Sequence, residues 1–291
     1  MIKFLPIVYA LSGYQPVKRI VVLGCGGTGA FVVSHLARFL SVWRPEGSSD
    51  YGRLVVPDLF LIDGDEVEEK NLVRQHFIYQ DVGKNKAEVL AERYSAAFGI
   101  DINVVPKDIE DEESLFKIFN TNGIIIGCVD NNATRQLIHN AYFSKNNVGE
   151  SMFWIDSGNK ETAGQVVCGY ASSSYYYGSN RLNKIRVGDE KTSGEFSLPC
   201  TTEIYPEFLD EGQGFNSELS CAERAESAPQ NMMTNVTAAT IAMNFAQTII
   251  MGKELKAHAV DFSIKNTFTT RLNTEENLKI INPKRKREWE M

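Results

Sequence analysis

Four glycines within six residues, Gly24, Gly26, Gly27 and Gly29, form the pattern G-x-G-G-x-G directly after a short apolar run. Glycine allows backbone N–H groups to approach phosphate oxygens, and the start of a following helix adds a dipole that favours anions. The loop therefore predicts a nucleotide phosphate site. The same chemistry serves NAD, FAD and ATP, so the glycines alone do not decide between them. A side chain at Gly27 is expected to crowd the phosphates.

Polar and cationic side chains follow in the stretch DGDEVEEKNLVRQHFIYQDVGKNKAEV, residues 63–89. The stretch contains Asn71, Arg74, Gln75 and Lys86. A dehydrogenase has no use for such cations beside a nicotinamide. Nucleotidyl transfer does, because negative charge builds on phosphate oxygens when a carboxylate attacks the α-phosphorus. The stretch thus favours ATP over a redox dinucleotide. Asn71 as a turn residue and Lys86 as a solvated helix lysine are the structural alternatives.

Two acidic positions fall at predicted strand ends, where parallel sheets bind ligands. Asp63 ends the second strand, where a redox Rossmann fold would also place a ribose ligand, and Asp130 ends a later strand. A carboxylate at Asp130 can hold Mg²⁺, which prefers oxygen ligands and bridges phosphates. Asp130 is equally compatible with the N-cap of a helix starting at Asn131. Arg135 is either a group that orients Asp130 or an ordinary surface arginine.

The elements that must position these residues alternate between strand and helix. The predicted strands are 19–24, 57–62, 102–106, 123–129, 152–156 and 164–171 with a hairpin over 257–272, and the predicted helices are 28–41, 84–98, 112–119, 132–145 and 229–251. The first strands are continuous apolar runs rather than alternating ones. That pattern is typical of a mainly parallel sheet covered by helices on both faces.

The remaining segments fit one α/β domain over residues 1–291. Residues 172–228 are rich in Ser, Tyr, Gly, Glu and Pro, show no periodicity and form a long crossover segment. Loops of such length are usually functional or mobile. Residues 283–291 form a basic tail, interpreted as a solvated end.

Composition narrows the classes of function. The chain has 291 residues, 43% hydrophobic and 23% charged residues, and a net charge of −7, which disfavours specific nucleic-acid binding. No apolar run reaches bilayer-spanning length, so no membrane association is expected. Five cysteines at irregular spacing indicate reduced thiols and a cytoplasmic location.

The motifs in combination resemble a known family. The order G-x-G-G-x-G, D-x-D-x-V-x-x-x-N-L-x-R-Q, D-V-G-K-N-K and V-D-N-x-x-x-R resembles the ubiquitin-activating (E1) superfamily, which includes ThiF and MoeB. The whole chain looks most like the ThiF-family component of the bacterial PRTRC system. The resemblance implies a Rossmann-like E1 adenylation fold with antiparallel C-terminal strands. It also implies ATP-dependent adenylation of the C-terminal carboxylate of a ubiquitin-like (β-grasp) protein by a homodimer in the bacterial cytoplasm.

The resemblance also implies roles for individual residues. The four glycines would form the phosphate loop, Asp63 would bind the ribose, and Asp130 would coordinate Mg²⁺. Three residues would hold the triphosphate: Asn71, Arg74 and Lys86. Asp65 and Gln75 are further nucleotide-binding candidates.

A cysteine would accept the acyl group in many family members, because a thiolate is a better nucleophile than water. Cys221 resembles the reactive cysteine of ThiF in position, and Cys200 is the second candidate. Cys25 is interpreted as a loop spacer, and Cys128 and Cys168 as core residues. No C-x-x-C motif occurs, so a zinc site is not expected.

One departure from the family keeps alternatives open. Many relatives carry an N-terminal R-Y-x-R-Q motif whose arginine reaches the partner subunit's ATP site, and residues 1–18 contain no arginine. Either Arg19, Arg44, Arg53 or another cation supplies that charge, or the site is less demanding. A nucleotide-binding assembly protein without turnover is therefore a second hypothesis. Sulfur-carrier or peptide adenylation in a biosynthetic pathway is a further one, and an NAD(P)-dependent oxidoreductase is disfavoured.

Overall fold

The computed structural model describes most of the chain. The described residues are 2–4, 17–43, 56–120, 122–143, 152–171, 185–187, 199–209, 231–251, 255, 257–265 and 269–273. The strands are β1 (Ile2–Phe4), β2 (Arg19–Leu23), β3 (Asp58–Ile62), β4 (Ile102–Val105), β5 (Gly123–Gly127), β6 (Met152–Asn159), β7 (Ala163–Ala171), β8 (Ile185–Val187), β9 (Ala259–Ser263) and β10 (Thr269–Asn273). The α-helices are α1 (Gly27–Val42), α2 (Lys86–Phe98), α3 (Glu112–Ile118), α4 (Asn132–Ile138), α5 (Thr201–Ile204) and α6 (Met232–Ile250).

Eight strands form one sheet in the order β10-β9-β7-β6-β5-β2-β3-β4. Five neighbouring strands are parallel, in the order β6-β5-β2-β3-β4. Strands β7, β9 and β10 add antiparallel pairs. The central strand of the parallel part is β2, in which Val21 pairs with Phe60 of β3 on one side and Ile125 of β5 on the other. The predicted α/β fold is confirmed, and so is the antiparallel hairpin. The chain adds β3 and β4 on one side of β2 and then β5 and β6 on the other side. A crevice therefore opens between the carboxyl ends of β2 and β5.

Helices cover both faces of the sheet because its strands are apolar on both sides. Val22 of β2 packs in a core cluster with Leu36 of α1, Leu90 of α2 and Ala242 of α6. Alternate residues of the same strands face a second cluster that includes Leu115 of α3 and Ile138 of α4. This two-sided burial is what the continuous apolar strand runs indicated.

The helix ends follow local sequence signals. The side chain of Asn85 accepts a hydrogen bond from the Glu88 N–H at the start of α2, and Gly99 ends that helix in the left-handed conformation. The predicted helix 132–145 is α4 followed by a π-helical turn over 139–143. Strand β6 runs three residues past its predicted end, to Asn159, because it continues to pair with β7.

Part of the crossover segment is more regular than its sequence indicated. Strand β8 pairs antiparallel with β1, and residues 201–209 form α5 and a short 3₁₀ helix. Cys200 is fully buried, and a Cβ placed on Gly169 of β7 would lie 2.7 Å from its Cα atom. The chain therefore packs directly on the sheet here, which aperiodic sequence did not predict. Of the helices that the structure describes, none has the length and apolar character of a bilayer span.

Candidate active site

A cavity of about 400 Å³ lies at the carboxyl edge of β2 and β5. Its lining includes ten of the predicted site residues: Gly24, Gly26, Gly27, Asp63, Asp65, Asn71, Arg74, Gln75, Lys86 and Asp130. Gly29 lies behind the loop against the Gly24 carbonyl oxygen, and Cys221 lies outside the described residues. The fold thus brings together side chains that are more than 100 positions apart in the chain.

We distinguish two sides of this cavity. The glycine-loop wall comprises Gly24, Gly26, Gly27, Thr28, Asn71, Arg74, Gln75 and Lys86. The strand-β6 wall comprises Asp130, Arg135, Ser157, Gly158, Asn159 and Phe208.

The glycine loop has a backbone that only small residues permit. Gly24 adopts φ +86°, and a Cβ there would lie 2.8 Å from the Cys128 carbonyl oxygen. Helix α1 then begins at Gly27, so the N–H groups of its first turn have no partner within the helix. Because Gly26, Gly27 and Thr28 line the cavity, these N–H groups provide an anion cradle.

Asp63 connects the glycine loop to the end of β3. Its Oδ2 accepts a hydrogen bond from the Cys25 N–H at 2.5 Å, and its Oδ1 accepts one from the Asp65 N–H at 2.8 Å. Burial raises the pKa of Asp63, an effect that the nearby Lys86 ammonium opposes. Each carboxylate oxygen can accept a further hydrogen bond, so a ribose hydroxyl is compatible with this arrangement.

Lys86 is the first residue of α2 and is not a solvated helix lysine. Only 6% of the residue is exposed, and its Nζ lies 2.7 Å from Oδ2 of Asp65. The Asn85 side chain also donates to the Asp63 carbonyl oxygen at 2.8 Å, which fixes the start of the helix. Asp65 thus holds a buried cation at the cavity wall.

The segment after β3 presents three polar side chains to the cavity. Asn71 is buried, and its Oδ1 accepts a hydrogen bond from the Glu68 N–H at 2.9 Å, so it is a turn residue as well as a lining residue. Arg74 is half-buried on the same wall. Among the described residues, the buried Oε1 of Gln75 has no hydrogen-bond partner, which leaves an acceptor at the glycine loop.

Asp130 does not cap the following helix. Helix α4 begins at Asn132, and its N-cap is Asn131, whose Oδ1 accepts a hydrogen bond from the Thr134 N–H at 2.8 Å. The exposed Asp130 lines the cavity instead. Within the described residues, no group of three or more His, Cys, Asp or Glu side chains could hold a metal ion. A single carboxylate nevertheless fits Mg²⁺, which is commonly held by one or two carboxylates together with substrate phosphates.

Arg135 is a buried arginine rather than a surface one. Its Nε lies 3.1 Å from each carboxylate oxygen of Asp156, and the two residues are 4% and 1% exposed. Its Nη2 donates to the carbonyl oxygens of Val129 at 2.8 Å and Ser157 at 3.2 Å. Because Val129 precedes Asp130, Arg135 holds the backbone that presents Asp130. Sequence reasoning missed Asp156, although its place at a predicted strand end was a usable signal.

Further residues in and behind the cavity wall were predicted by no motif. The Asn159 Nδ2 donates to Thr28 Oγ1 at 2.6 Å and to Asn235 Oδ1 at 3.2 Å. Phe208 stacks on Arg135, with its ring centroid 4.9 Å from the guanidinium carbon. These residues come from β6, the crossover segment and α6, so no local spacing in the sequence connects them.

The described cysteines are poor nucleophiles. Cys25, Cys168 and Cys200 are fully buried, and burial raises the pKa of each thiol. Burial also raises the pKa of Cys128 to about 12, although this residue is only partly buried and lines the cavity. A thiol with a raised pKa has little thiolate at neutral pH. Cys200 is therefore a structural residue, as Cys25 and Cys168 were predicted to be.

Arg19 cannot supply the missing arginine to its own cavity. It begins β2, at the opposite edge of the sheet from the cavity. Its Nη2 lies 3.5 Å from Oδ2 of Asp58, and its guanidinium carbon lies 4.6 Å from the ring centroid of Phe60. The other two candidates, Arg44 and Arg53, lie outside the described residues.

The sheet is Rossmann-like, and the crevice between β2 and β5 holds the α1 anion cradle, the Lys86 and Arg74 cations and the Asp130 carboxylate. This combination is typical of nucleotide-binding α/β proteins. The chain belongs to the ThiF family, whose model matches residues 16–286. Membership of the PRTRC group stays a prediction.

Curated relatives match part of the chain. It is 30% identical over 123 residues to the adenylyltransferase and sulfurtransferase UBA4 of Yarrowia lipolytica, covering 42% of this chain and 27% of UBA4. It is 29% identical over 124 residues to the SAMP-activating enzyme E1 of Haloferax volcanii, covering 42% of this chain and 40% of that enzyme. The chain thus matches less than half the length of these relatives.

Solved structures extend the similarity in fold. Escherichia coli MccB with ATP superposes with a TM-score of 0.52 at 21% identity, covering 88% of this chain and 63% of MccB. PaaA superposes with a TM-score of 0.55 at 17% identity, covering 88% of this chain and 64% of PaaA. At these identities the likeness shows a shared fold.

Proposed function

We propose that this protein binds ATP and adenylates the C-terminal carboxylate of a ubiquitin-like (β-grasp) protein. The observation that carries the proposal is the shared cavity of the glycine cradle, the buried Lys86 and the Asp130 carboxylate. An NAD(P) oxidoreductase would have no use for this cation and carboxylate. The family relatives support the choice, because they carry the names adenylyltransferase and activating enzyme E1.

The proposed reaction is a displacement at phosphorus. A carboxylate oxygen of the partner forms a bond to the α-phosphorus of ATP, the bond from that phosphorus to the oxygen bridging toward the β-phosphate breaks, and pyrophosphate leaves. Negative charge builds on the phosphate oxygens, and the first-turn N–H groups of α1 with Lys86 and Arg74 stabilise it. We assign the ribose to Asp63, with Asp65, Asn71 and Gln75 as supporting nucleotide ligands.

Magnesium would be held by Asp130 together with phosphate oxygens. Bound there, the ion would supply positive charge to the triphosphate. The protein's own contribution is to place the carboxylate, through the Arg135 bond to the Val129 carbonyl oxygen.

A later thiol step is also proposed, with Cys221 as the acyl acceptor. The four cysteines within the described residues all have raised pKa values, which leaves Cys221 as the candidate acceptor. The thiolate would attack the acyl carbon and AMP would leave. Homodimer formation and a bacterial cytoplasmic location remain proposals that rest on the family resemblance.

The alternatives differ in the acceptor or in turnover. A sulfur carrier is one alternative acceptor, because UBA4 carries the name adenylyltransferase and sulfurtransferase. A peptide is another; MccB, which shares the fold, was crystallised with MccA. A nucleotide-binding assembly protein would keep the cradle but release no pyrophosphate.

The test uses the full chain, MgATP and purified β-grasp proteins that end in a free glycine. We expect the intact mass of one of these partners to rise by the mass of one adenylyl group, which is AMP less one water. The matched control is the same partner with an amidated C-terminus, which cannot attack phosphorus. A sulfur carrier or a peptide as the only acceptor would move the proposal to that alternative. Tight ATP binding with no adenylated acceptor would favour the assembly protein.

A further inference from the structure

Helix α6 buries two polar residues in its first turn, Thr234 and Asn235, and both are fully buried. The rest of its buried face is largely apolar, with residues such as Ala242 and Phe245. A buried amide is unfavourable unless its hydrogen bonds are made, so its contacts indicate its role. Thr234 donates from Oγ1 to the Glu161 carbonyl oxygen at 2.7 Å, in the turn between β6 and β7.

Asn235 joins both walls of the cavity. Its Nδ2 lies 3.4 Å from the Arg74 carbonyl oxygen, to which it donates on the glycine-loop wall. Its Oδ1 accepts from Asn159 Nδ2 on the strand-β6 wall at 3.2 Å. Asn159 in turn donates to Thr28 Oγ1 in the first turn of α1 at 2.6 Å. One buried side chain therefore links Arg74, β6 and the anion cradle.

Gly27 supplies an independent observation. A Cβ placed on Gly27 would lie 2.3 Å from Asn235 Nδ2 and 2.9 Å from its Cγ. The fourth glycine is expected to leave room for phosphates, and the structure shows that it also leaves room for the Asn235 amide. The loop backbone and the Asn235 side chain are thus in direct packing contact.

We propose that Asn235 is a positioning residue that sets Arg74 against the phosphate loop. The inference rests on the proposed ATP site, since Arg74 is assigned to the outer phosphates there. Asn235 does not touch the nucleotide itself; it fixes the backbone of Arg74 relative to α1. Its loss should weaken the binding of nucleotides that carry outer phosphates and leave binding of the monophosphate unchanged.

The test measures dissociation constants for a non-hydrolysable ATP analogue and for AMP by calorimetry. For Asn235→Ala we expect the preference for the ATP analogue over AMP to fall about tenfold, the size of a lost hydrogen bond. Arg74→Ala should lower the same preference. The double variant Arg74→Ala with Asn235→Ala should show little further loss, because both changes act through the Arg74 side chain. The control is Asn244→Ala, an exposed asparagine of the same helix.

A second set of variants tests the packing contact. Gly27→Ala alone should weaken binding of the ATP analogue, and Gly27→Ala with Asn235→Ala should bind it more tightly than Gly27→Ala does. An Asn235→Ala protein that keeps the wild-type preference would overturn the positioning role. A wild-type protein without preference for the ATP analogue over AMP would overturn the ATP site and this inference together. The wild-type measurement therefore separates the two failures.

Discussion

The two walls of the cavity are built in opposite ways. The glycine-loop wall presents backbone N–H groups and side chains from residues 24–86 to the cavity, and those N–H groups have no partner within α1. In the strand-β6 wall, Arg135 is held by Asp156 and stacked on Phe208, and Asn159 already donates to Thr28 and Asn235. The first wall has capacity left for a ligand, whereas much of the second is saturated.

The difference indicates a division of labour. An anion site needs donors that are not already satisfied, which the start of α1 provides. The Asp130 carboxylate needs a fixed backbone, which the buried Arg135–Asp156 pair provides through the Arg135 bond to the Val129 carbonyl oxygen. We therefore expect substitutions in the glycine-loop wall to reduce nucleotide binding, and those in the Arg135–Asp156 pair behind the strand-β6 wall to reduce stability first.

The largest effect is expected on stability, for Asp156→Ala. This change leaves Arg135 buried without its counter-ion, and breaking a buried pair costs about 3–5 kcal/mol of unfolding free energy. Urea unfolding measures it. Glu113→Ala is the matched control, because its pair with Lys117 is exposed and solvent screening leaves such a pair little effect on stability. Equal losses in the two variants would contradict the saturated character of the strand-β6 wall.

Lys86→Ala should leave the fold intact and reduce pyrophosphate exchange about 10²–10³-fold, the usual loss of one donor to developing charge. The neighbouring Lys84 is exposed and absent from the cavity lining, so Lys84→Ala should retain the wild-type rate. The two lysines are two residues apart, so the variants differ in position and not in the chemistry of the side chain that is removed. A rate for Lys86→Ala within threefold of the control would remove Lys86 from the site.

Gly24→Ala separates the strain of the loop from its packing. Gly24 and Gly83 have nearly the same φ, +86° and +83°, so alanine at either position should cost about 1–2 kcal/mol of unfolding free energy. Only Gly24→Ala adds a clash, since its Cβ would lie 2.8 Å from the Cys128 carbonyl oxygen while nothing lies within 4 Å at Gly83. A larger loss of both stability and ATP-analogue affinity is expected for Gly24→Ala. Matching losses would show that the cradle tolerates displacement.

The smallest effect is a pH dependence from Asp63. Burial raises its pKa above 3.8, so the folded protein holds this proton more tightly than the unfolded chain does. Its contribution to stability should therefore fall as pH rises from 3.8 through the raised native value. The unfolding free energy of wild type minus that of Asp63→Asn should decrease between pH 4 and pH 7. An increase would mean that the hydrogen bonds from Cys25 and Asp65 outweigh burial.

Sequence reasoning succeeded where the signals were local. The glycine loop, the β3–α2 stretch and Asp130 lie at the ends of apolar strands, and parallel strands bring those ends to one edge. The antiparallel end of the sheet also followed from a hairpin pattern.

The contacts of the strand-β6 wall could be predicted from the sequence only in part. Asp156 was placed at a strand end but not paired with Arg135, because a pair 21 residues apart leaves no periodic trace. Asn235 sits in an apolar helix, and its partners Arg74 and Asn159 are 161 and 76 residues away. Such tertiary polar contacts depend on how layers pack, which single-sequence patterns do not contain.

Adenylation is best measured by ATP–pyrophosphate exchange in the presence of a β-grasp partner with a free C-terminal carboxylate. We expect partner-dependent exchange by the wild type and by Cys221→Ala, and loss of exchange in Asp130→Ala. ATP binding by the wild type without exchange for any carboxylate partner would contradict adenylation.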